Sequence, residues 1–312
     1  MTHLHRLGRA LFLGVFAALL AAGPAAAESR HALVIGNGGY KDAPLKNPPN
    51  DATAMAKVLR GLGFEVIELI DASQAQMKKG LAAFGERLKE DSVGLFYYAG
   101  HGVQVKGDNW LIPVDADIST ESDVEFGALS ASQVIGKMED KQSSVNIVIL
   151  DACRNNPFSR GFRSAQRGLA LMNAPRGTLI VYATGPGQVA SDGSWSNGLF
   201  TQYLLQELPK RGQSIQDTIL NVRVRVMDDT GKAQIPWDAS SMTNRFYPSG
   251  ELSSDPKEAL AELAKDRSRI EELQRTSGGS AIPVGDMRPG QKLWVEPRAM
   301  YRDKEKKMFL RR

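Results

Sequence analysis

Apolar residues along this chain gather in short unbroken runs that alternate with stretches of helical period. His31–Gly36 (HALVIG), Phe64–Ile70 (FEVIELI), Val93–Ala99 (VGLFYYA), Val145–Leu150 (VNIVIL) and Thr178–Ala183 (TLIVYA) read as strands. Between them, Asp51–Leu62 sets Ala52, Met55, Ala56, Leu59 and Leu62 on one helical face. Ser73 is placed to cap a helix running to about Leu88, with Met77, Leu81, Phe84 and Leu88 in register. Ser130 opens a helix toward Met138, and two more helices are expected at Gly198–Leu208 and Ser214–Met227. Near-continuous apolar strands alternating with helices predict an α/β fold. Its central sheet is mostly parallel, with helices on both faces.

The two ends read differently from this body. Residues 1–27 carry Arg6 and Arg9, an uncharged apolar run from Ala10 to Ala22, and then Ala25-Ala26-Ala27. That is the order of an export signal with a small-residue cleavage site. The run is shorter than the roughly 20 apolar residues that span a bilayer. A cleaved signal is therefore expected, with an uncleaved N-terminal anchor as the alternative. The expected location is periplasmic or secreted. The domain expected to follow runs over 28–248. Beyond Pro248 the composition changes to a linker (Ser249–Asp255), a charged helix (Pro256–Arg275) with Leu260, Leu263, Ala264, Ile270 and Leu273 as a thin apolar stripe, and a basic tail ending KEKKMFLRR. The tail reads as a solvated extension.

Composition narrows the function classes. Charged residues make up 24% of the 312, which is ordinary for a soluble globular chain. Taking Arg6 and Arg9 from the 39 basic residues leaves 37 against 35 acidic, so the net charge of the mature chain falls to +2. That is poor support for nucleic-acid binding, and neither a nucleic-acid nor a membrane partner is expected after signal cleavage. Cysteine occurs once, at Cys153, which excludes an intramolecular disulfide, a C-x-x-C redox motif and a multi-cysteine zinc site. Of the four histidines only His31 and His101 lie beyond the signal.

Ligands of open α/β sheets gather beyond the carboxyl ends of the strands. Tyr97-Tyr98-Ala99-Gly100-His101-Gly102 and Asp151-Ala152-Cys153-Arg154-Asn155-Asn156-Pro157 are both predicted to leave strands at that edge. An imidazole and a thiol brought together in space suit a base and its nucleophile, because the thiolate is the reactive form. The backbone N–H groups of Gly102 and Cys153 are candidates for holding the oxyanion of a tetrahedral intermediate. The plainer alternative is an inert buried thiol and a loop histidine. His31 stands at the opposite edge and reads as structural.

YYAGHG followed 52 residues later by the cysteine of ILDACRNNP resembles the caspase and metacaspase clan of cysteine peptidases, in particular its bacterial caspase-like members. The resemblance covers about Ser29 to Pro248. It implies a caspase-like three-layer sandwich and endopeptidase activity through a dyad of His101 as proton carrier and Cys153 as nucleophile. Caspases carry glutamine two residues before the cysteine and cut after aspartate. Asp151 occupies that position here, as in metacaspases, which cut after arginine or lysine. Metacaspases also place an acid in a motif like Asn50-Asp51-Ala52. Two carboxylates in one pocket attract a guanidinium and repel an acid. The expected substrates are therefore proteins or peptides with a basic P1 residue, held by Asp51 and Asp151. Asp51 reads equally well as a helix N-cap.

Residues 183–200 resemble the family's substrate-flanking loop, where Asp192 would add to the acidic pocket; a plain surface loop is the alternative. Arg160, Arg163 and Arg167 would suit self-cleavage. Asn155 replaces the glycine that the family places two positions after its cysteine. No cofactor is expected, although metacaspases often need calcium, and Asp108, Asp115 and Asp117 are possible oxygen ligands without EF-hand spacing. Gly36-Asn37-Gly38-Gly39-Tyr40-Lys41 fails the dinucleotide fingerprint, since Lys41 stands at the third glycine position. The rival to an enzyme is a catalytically silent caspase-like domain that binds peptides or partners.

Overall fold

A computed structural model describes residues 28–153, 168–185 and 196–276. The export segment, Arg160, Arg163, Arg167, Asp192 and the basic tail lie outside the described residues. Strands β1 (Arg30–Gly36), β2 (Glu65–Ile70), β3 (Val93–Val105), β6 (Val145–Cys153) and β7 (Thr178–Tyr182) run parallel. An antiparallel strand β8 (Trp237–Ser240) closes one edge, giving the order β2-β1-β3-β6-β7-β8. The expected mostly parallel α/β sheet is present.

Alternation along the strands sends successive side chains to opposite faces. One face packs Val34, Leu95, Tyr97, Ile149 and Val181 against helices α1 (Pro48–Gly61), α5 (Leu199–Glu207) and α6 (Ile215–Asp229). The other packs Leu33, Phe96, Tyr98 and Leu150 against α2 (Gln74–Arg87) and α4 (Ala131–Asp140). The expected helical faces are the buried ones: Met55, Leu59, Met77 and Phe84 are inaccessible to solvent. The capping serines act as their positions predict. Ser73 forms a reciprocal capping box with Gln76, and Ser130 and Ser214 accept from the backbone N–H groups of Gln133 and Asp217.

Two features depart from the sequence reading. First, β3 does not stop at Ala99. It continues to Val105, turns through Lys106 and Gly107, both at positive φ, and returns as β4 (Asp108–Leu111). Two consecutive positive-φ residues make the tight turn whose twist suits a hairpin. Second, β4 pairs with a two-residue strand β5 (Leu129–Ser130), which follows a short helix α3 (Glu121–Gly127). The thin apolar stripe on α7 (Pro256–Thr276) stays at the surface. Leu260 and Leu263 are 70% and 43% exposed. The helix meets the body through charge instead: Arg211 lies 3.8 Å from both Glu262 and Asp266, and its N–H donates to Asp266.

Asn37, fully buried just past β1, ties the carboxyl ends of the strands together. Its Oδ1 accepts from the Ala72 N–H at 2.9 Å, and its Nδ2 donates to the Ile112 carbonyl at 3.0 Å. Asn37→Ala leaves the Ala72 N–H without that acceptor in a buried site, where an unmet polar group costs about 1–3 kcal/mol. We expect the variant to lose about that much unfolding free energy in urea, followed by tryptophan fluorescence. No loss would contradict this role.

Candidate active site

Parallel pairing of β3 with β6 persists to the last residue of β6, and its final register pair is His101↔Cys153. Adjacent strands run about 4.8 Å apart, so the two candidate residues are neighbours across the sheet edge. Both belong to the strands, where the sequence placed them just beyond the strand ends.

The backbone of His101 is held from both sides. Its N–H donates to the Tyr40 hydroxyl at 3.0 Å. Its carbonyl accepts from the Tyr98 hydroxyl at 2.7 Å and from the Ile112 N–H at 3.0 Å. The two tyrosine hydroxyls also lie 3.2 Å from each other. Gly100 makes this possible: it adopts φ +153°, and a Cβ there would stand 2.7 Å from both hydroxyl oxygens. The His101 side chain is 4% exposed and leans on the Tyr40 ring, with centroids 4.4 Å apart.

Its Nε2 lies 2.7 Å from the carbonyl oxygen of Ala43. A carbonyl has no proton to give, so Nε2 carries the hydrogen and Nδ1 carries the lone pair in the neutral ring. A hydrogen bond at one ring nitrogen fixes the other as the base. Sequence reasoning missed Ala43, because a backbone acceptor leaves no side-chain signature. It also missed Tyr40, whose spacing from His101 has no periodicity to betray it.

On the α1/α5 face the structure brings Asp51 and Asp151 together. Asp51, 2% exposed, accepts from Asn197 Nδ2 at 2.8 Å and from the Gly198 N–H at 3.0 Å. It is not the N-cap of α1; Asn47 holds that position, and Asp51 lies in the first turn. Its charge there complements the helix N-terminus while its side chain holds the start of α5. Asp151 accepts from Thr201 Oγ1 at 2.6 Å, and Thr201 lies 2.6 Å from the Tyr97 hydroxyl. Since the carboxylate only accepts, Thr201 donates to it and Tyr97 donates to Thr201. Burial, then the charges of Asp51 and Asp151, push the Tyr97 hydroxyl well above its usual pKa. A Cβ on Gly198 would sit 3.3 Å from Asp51 Oδ2 and 3.6 Å from Asp151 Oδ2. Both carboxylates therefore lie close to Gly198 at the start of α5.

The remaining candidates fall elsewhere. Gly102 follows His101 and pairs with Leu111 across the β3–β4 hairpin. Asp108 accepts from the hydroxyls of Ser130 and Ser132, and Asp115 accepts from the Gln74 N–H at the start of α2. Among the described residues no group of three or more His, Cys, Asp or Glu is placed to hold a metal ion. His31 sits at the start of β1, 3.4 Å from Glu65, and burial chiefly lowers its pKa. No helix among the described residues is long and apolar enough to cross a membrane.

A doubly covered parallel sheet with a histidine and a cysteine paired across its carboxyl edge defines a class as well as a fold. Residues 29–247 match the caspase domain, and the chain belongs to that family of cysteine peptidases. It is 28% identical over 214 residues to the human protein named mucosa-associated lymphoid tissue lymphoma translocation protein 1, and equally to the homologue of that protein in mouse. The match takes in 67% of this chain and 24% of each relative, so the chain spans about a quarter of the length of the curated relatives it matches.

The clamp on His101 makes a direct prediction. Tyr40→Phe keeps the ring against the imidazole but removes the hydroxyl that accepts the buried His101 N–H. We expect a loss of about 1–3 kcal/mol in unfolding free energy by urea denaturation. An unchanged transition would contradict the clamp.

Proposed function

We propose that this protein is a cysteine endopeptidase in which His101 activates Cys153 and which cleaves after arginine or lysine. The observation that carries the reading is the His101↔Cys153 register pair, with the imidazole oriented by the Ala43 carbonyl. Nδ1 of His101 takes the thiol proton, and the thiolate of Cys153 attacks the scissile carbonyl. The oxyanion is received by the backbone N–H groups of Gly102 and Cys153. The imidazolium, steadied by its Nε2–H bond to Ala43, then protonates the leaving amine as the C–N bond breaks. Water, deprotonated in turn by His101, hydrolyses the thioester and frees the enzyme.

The convergence of Asp51 and Asp151 at Gly198 supports the basic P1 preference. A guanidinium arriving there meets two carboxylates, and the bidentate geometry of Arg suits them. Tyr97 and Thr201 hold Asp151 in place for this contact. The sequence of residues 1–27 supports export of the enzyme, with proteolysis taking place in the periplasm or outside the cell.

A panel of fluorogenic peptides differing only at P1 tests the reading. Arginine and lysine are expected to be turned over and aspartate not. Asp151→Asn removes a charge-assisted contact worth about 1.5–3 kcal/mol, so kcat/KM on the arginyl substrate should fall about 10- to 100-fold. Cys153→Ala should abolish turnover. A preference for aspartate would overturn the specificity. Unchanged turnover by Cys153→Ala would overturn the mechanism and favour a silent peptide-binding domain.

A further inference from the structure

A cavity adjoins His101. It has a volume of about 420 Å³ and lies between the loop Tyr40–Ala43 and the segment Val114–Ser119, with His101 and Ile112 in its wall. Asp51, Asp151 and Gly198 are not among its lining residues. The cavity and the two carboxylates belong to different parts of the fold. Asp51 and Asp151 lie on the face covered by α1 and α5, whose apolar residues form one cluster. Tyr40, Ile112 and Ile118 belong to a separate cluster with Val103 and Val124, beside the β3–β4 hairpin. Hydrogen bonds from the Val114 N–H to the Ala72 carbonyl, and from the Gln74 N–H to Asp115, anchor its outer wall to the start of α2.

We infer that this cavity is the leaving-group subsite and that it takes a lysine or arginine immediately after the scissile bond. The inference rests on the peptidase reading above and deepens it. His101 is the group that hands its proton to the leaving nitrogen as the carbonyl carbon passes to Cys153. The half of the substrate that departs with that nitrogen must therefore lie against His101. With the P1 side chain on the α1/α5 face, the chain leaves across the imidazole, and the space it meets is this cavity.

The cavity's own chemistry selects the side chain. Buried Tyr40, Ile112 and Ile118 suit the methylene stem of a long residue. Asp42, Asp115 and Asp117 line it, with Lys41 and His101 as the basic side chains among the described residues. A lysine or arginine head group is attracted there and an acidic one repelled. Together with a basic P1 preference, this makes the enzyme selective for pairs of basic residues, cut between the two.

Internally quenched peptides with arginine at P1 and lysine, alanine or glutamate at P1′ read the subsite. An arginyl aminomethylcoumarin substrate, whose leaving group carries no P1′ side chain, reports on the peptidase reading alone. We expect kcat/KM to fall in the order lysine, alanine, glutamate, with lysine over glutamate by about tenfold or more. The ratio should shrink as salt rises, because exposed carboxylates are screened. Asp42→Asn with Asp117→Asn should bring the ratio close to one, Asp115 being left in place because it also holds the start of α2.

Binding tests the subsite without catalysis. A fluorescein-labelled peptide amide with a free N-terminal lysine should bind Cys153→Ala more tightly than the same peptide beginning with glutamate, by about tenfold. The paired Asp→Asn substitutions should remove the difference. Equal cleavage of the lysine and glutamate peptides, or equal binding, overturns the subsite while turnover of the coumarin substrate leaves the peptidase reading standing. If the coumarin substrate is not cut at all, the peptidase reading fails, and the binding comparison still decides the cavity's preference.

Discussion

The structure depends on one strand pairing, β3 against β6, carried without a break from Val93↔Val145 to His101↔Cys153. Because side chains alternate along a strand, a slip of a single residue would turn each strand's side chains to the wrong face. Leu95, Tyr97, Ile147 and Ile149 belong to one core cluster and Phe96, Tyr98, Val148 and Leu150 to the other, so neither strand can slip without burying the wrong set. The apolar register that builds both layers is thus the same register that sets His101 beside Cys153. Stability and chemistry are linked through the sheet.

Around that pairing, polar groups fix what the sheet alone leaves free. Strand pairing positions the backbone of His101 but not its ring. The Tyr40 ring and the Ala43 carbonyl set the ring's tilt and tautomer. On the α1/α5 face, the chain Tyr97–Thr201–Asp151 does the same for a carboxylate, with every donor assigned by the fact that the carboxylate can only accept. Asp51 and Asp151 lie close to Gly198 on the α1/α5 face, and Asp42, Asp115 and Asp117 line the cavity that has His101 in its wall.

The elements legible in the sequence are those with strong local signals. The five apolar strands, the serine-capped helices and the edge carrying the candidate residues all follow from period and capping. Asp51 and Asp151 were named from a resemblance, and their convergence came from folding, since a separation of 100 residues has no period. The hairpin β3–β4 was not legible because Lys106, not asparagine or glycine, occupies the first turn position. The stripe on α7 shows which face is amphipathic, while the contact with the body is made by charge, through Arg211 with Glu262 and Asp266. Ala43, Tyr40 and Thr201 act through a carbonyl and two hydroxyls, groups too common in any chain to stand out.

The most direct test of the central claim uses an arginyl chloromethylketone, which alkylates a nucleophile only when a basic P1 pocket delivers it. Peptide mapping by mass spectrometry after treatment locates the modified atom. The account predicts a single adduct on Cys153, formed far faster than with the aspartyl analogue and slowed when His101 is replaced by alanine. An adduct elsewhere, equal labelling by the aspartyl reagent, or no dependence on His101 would contradict it.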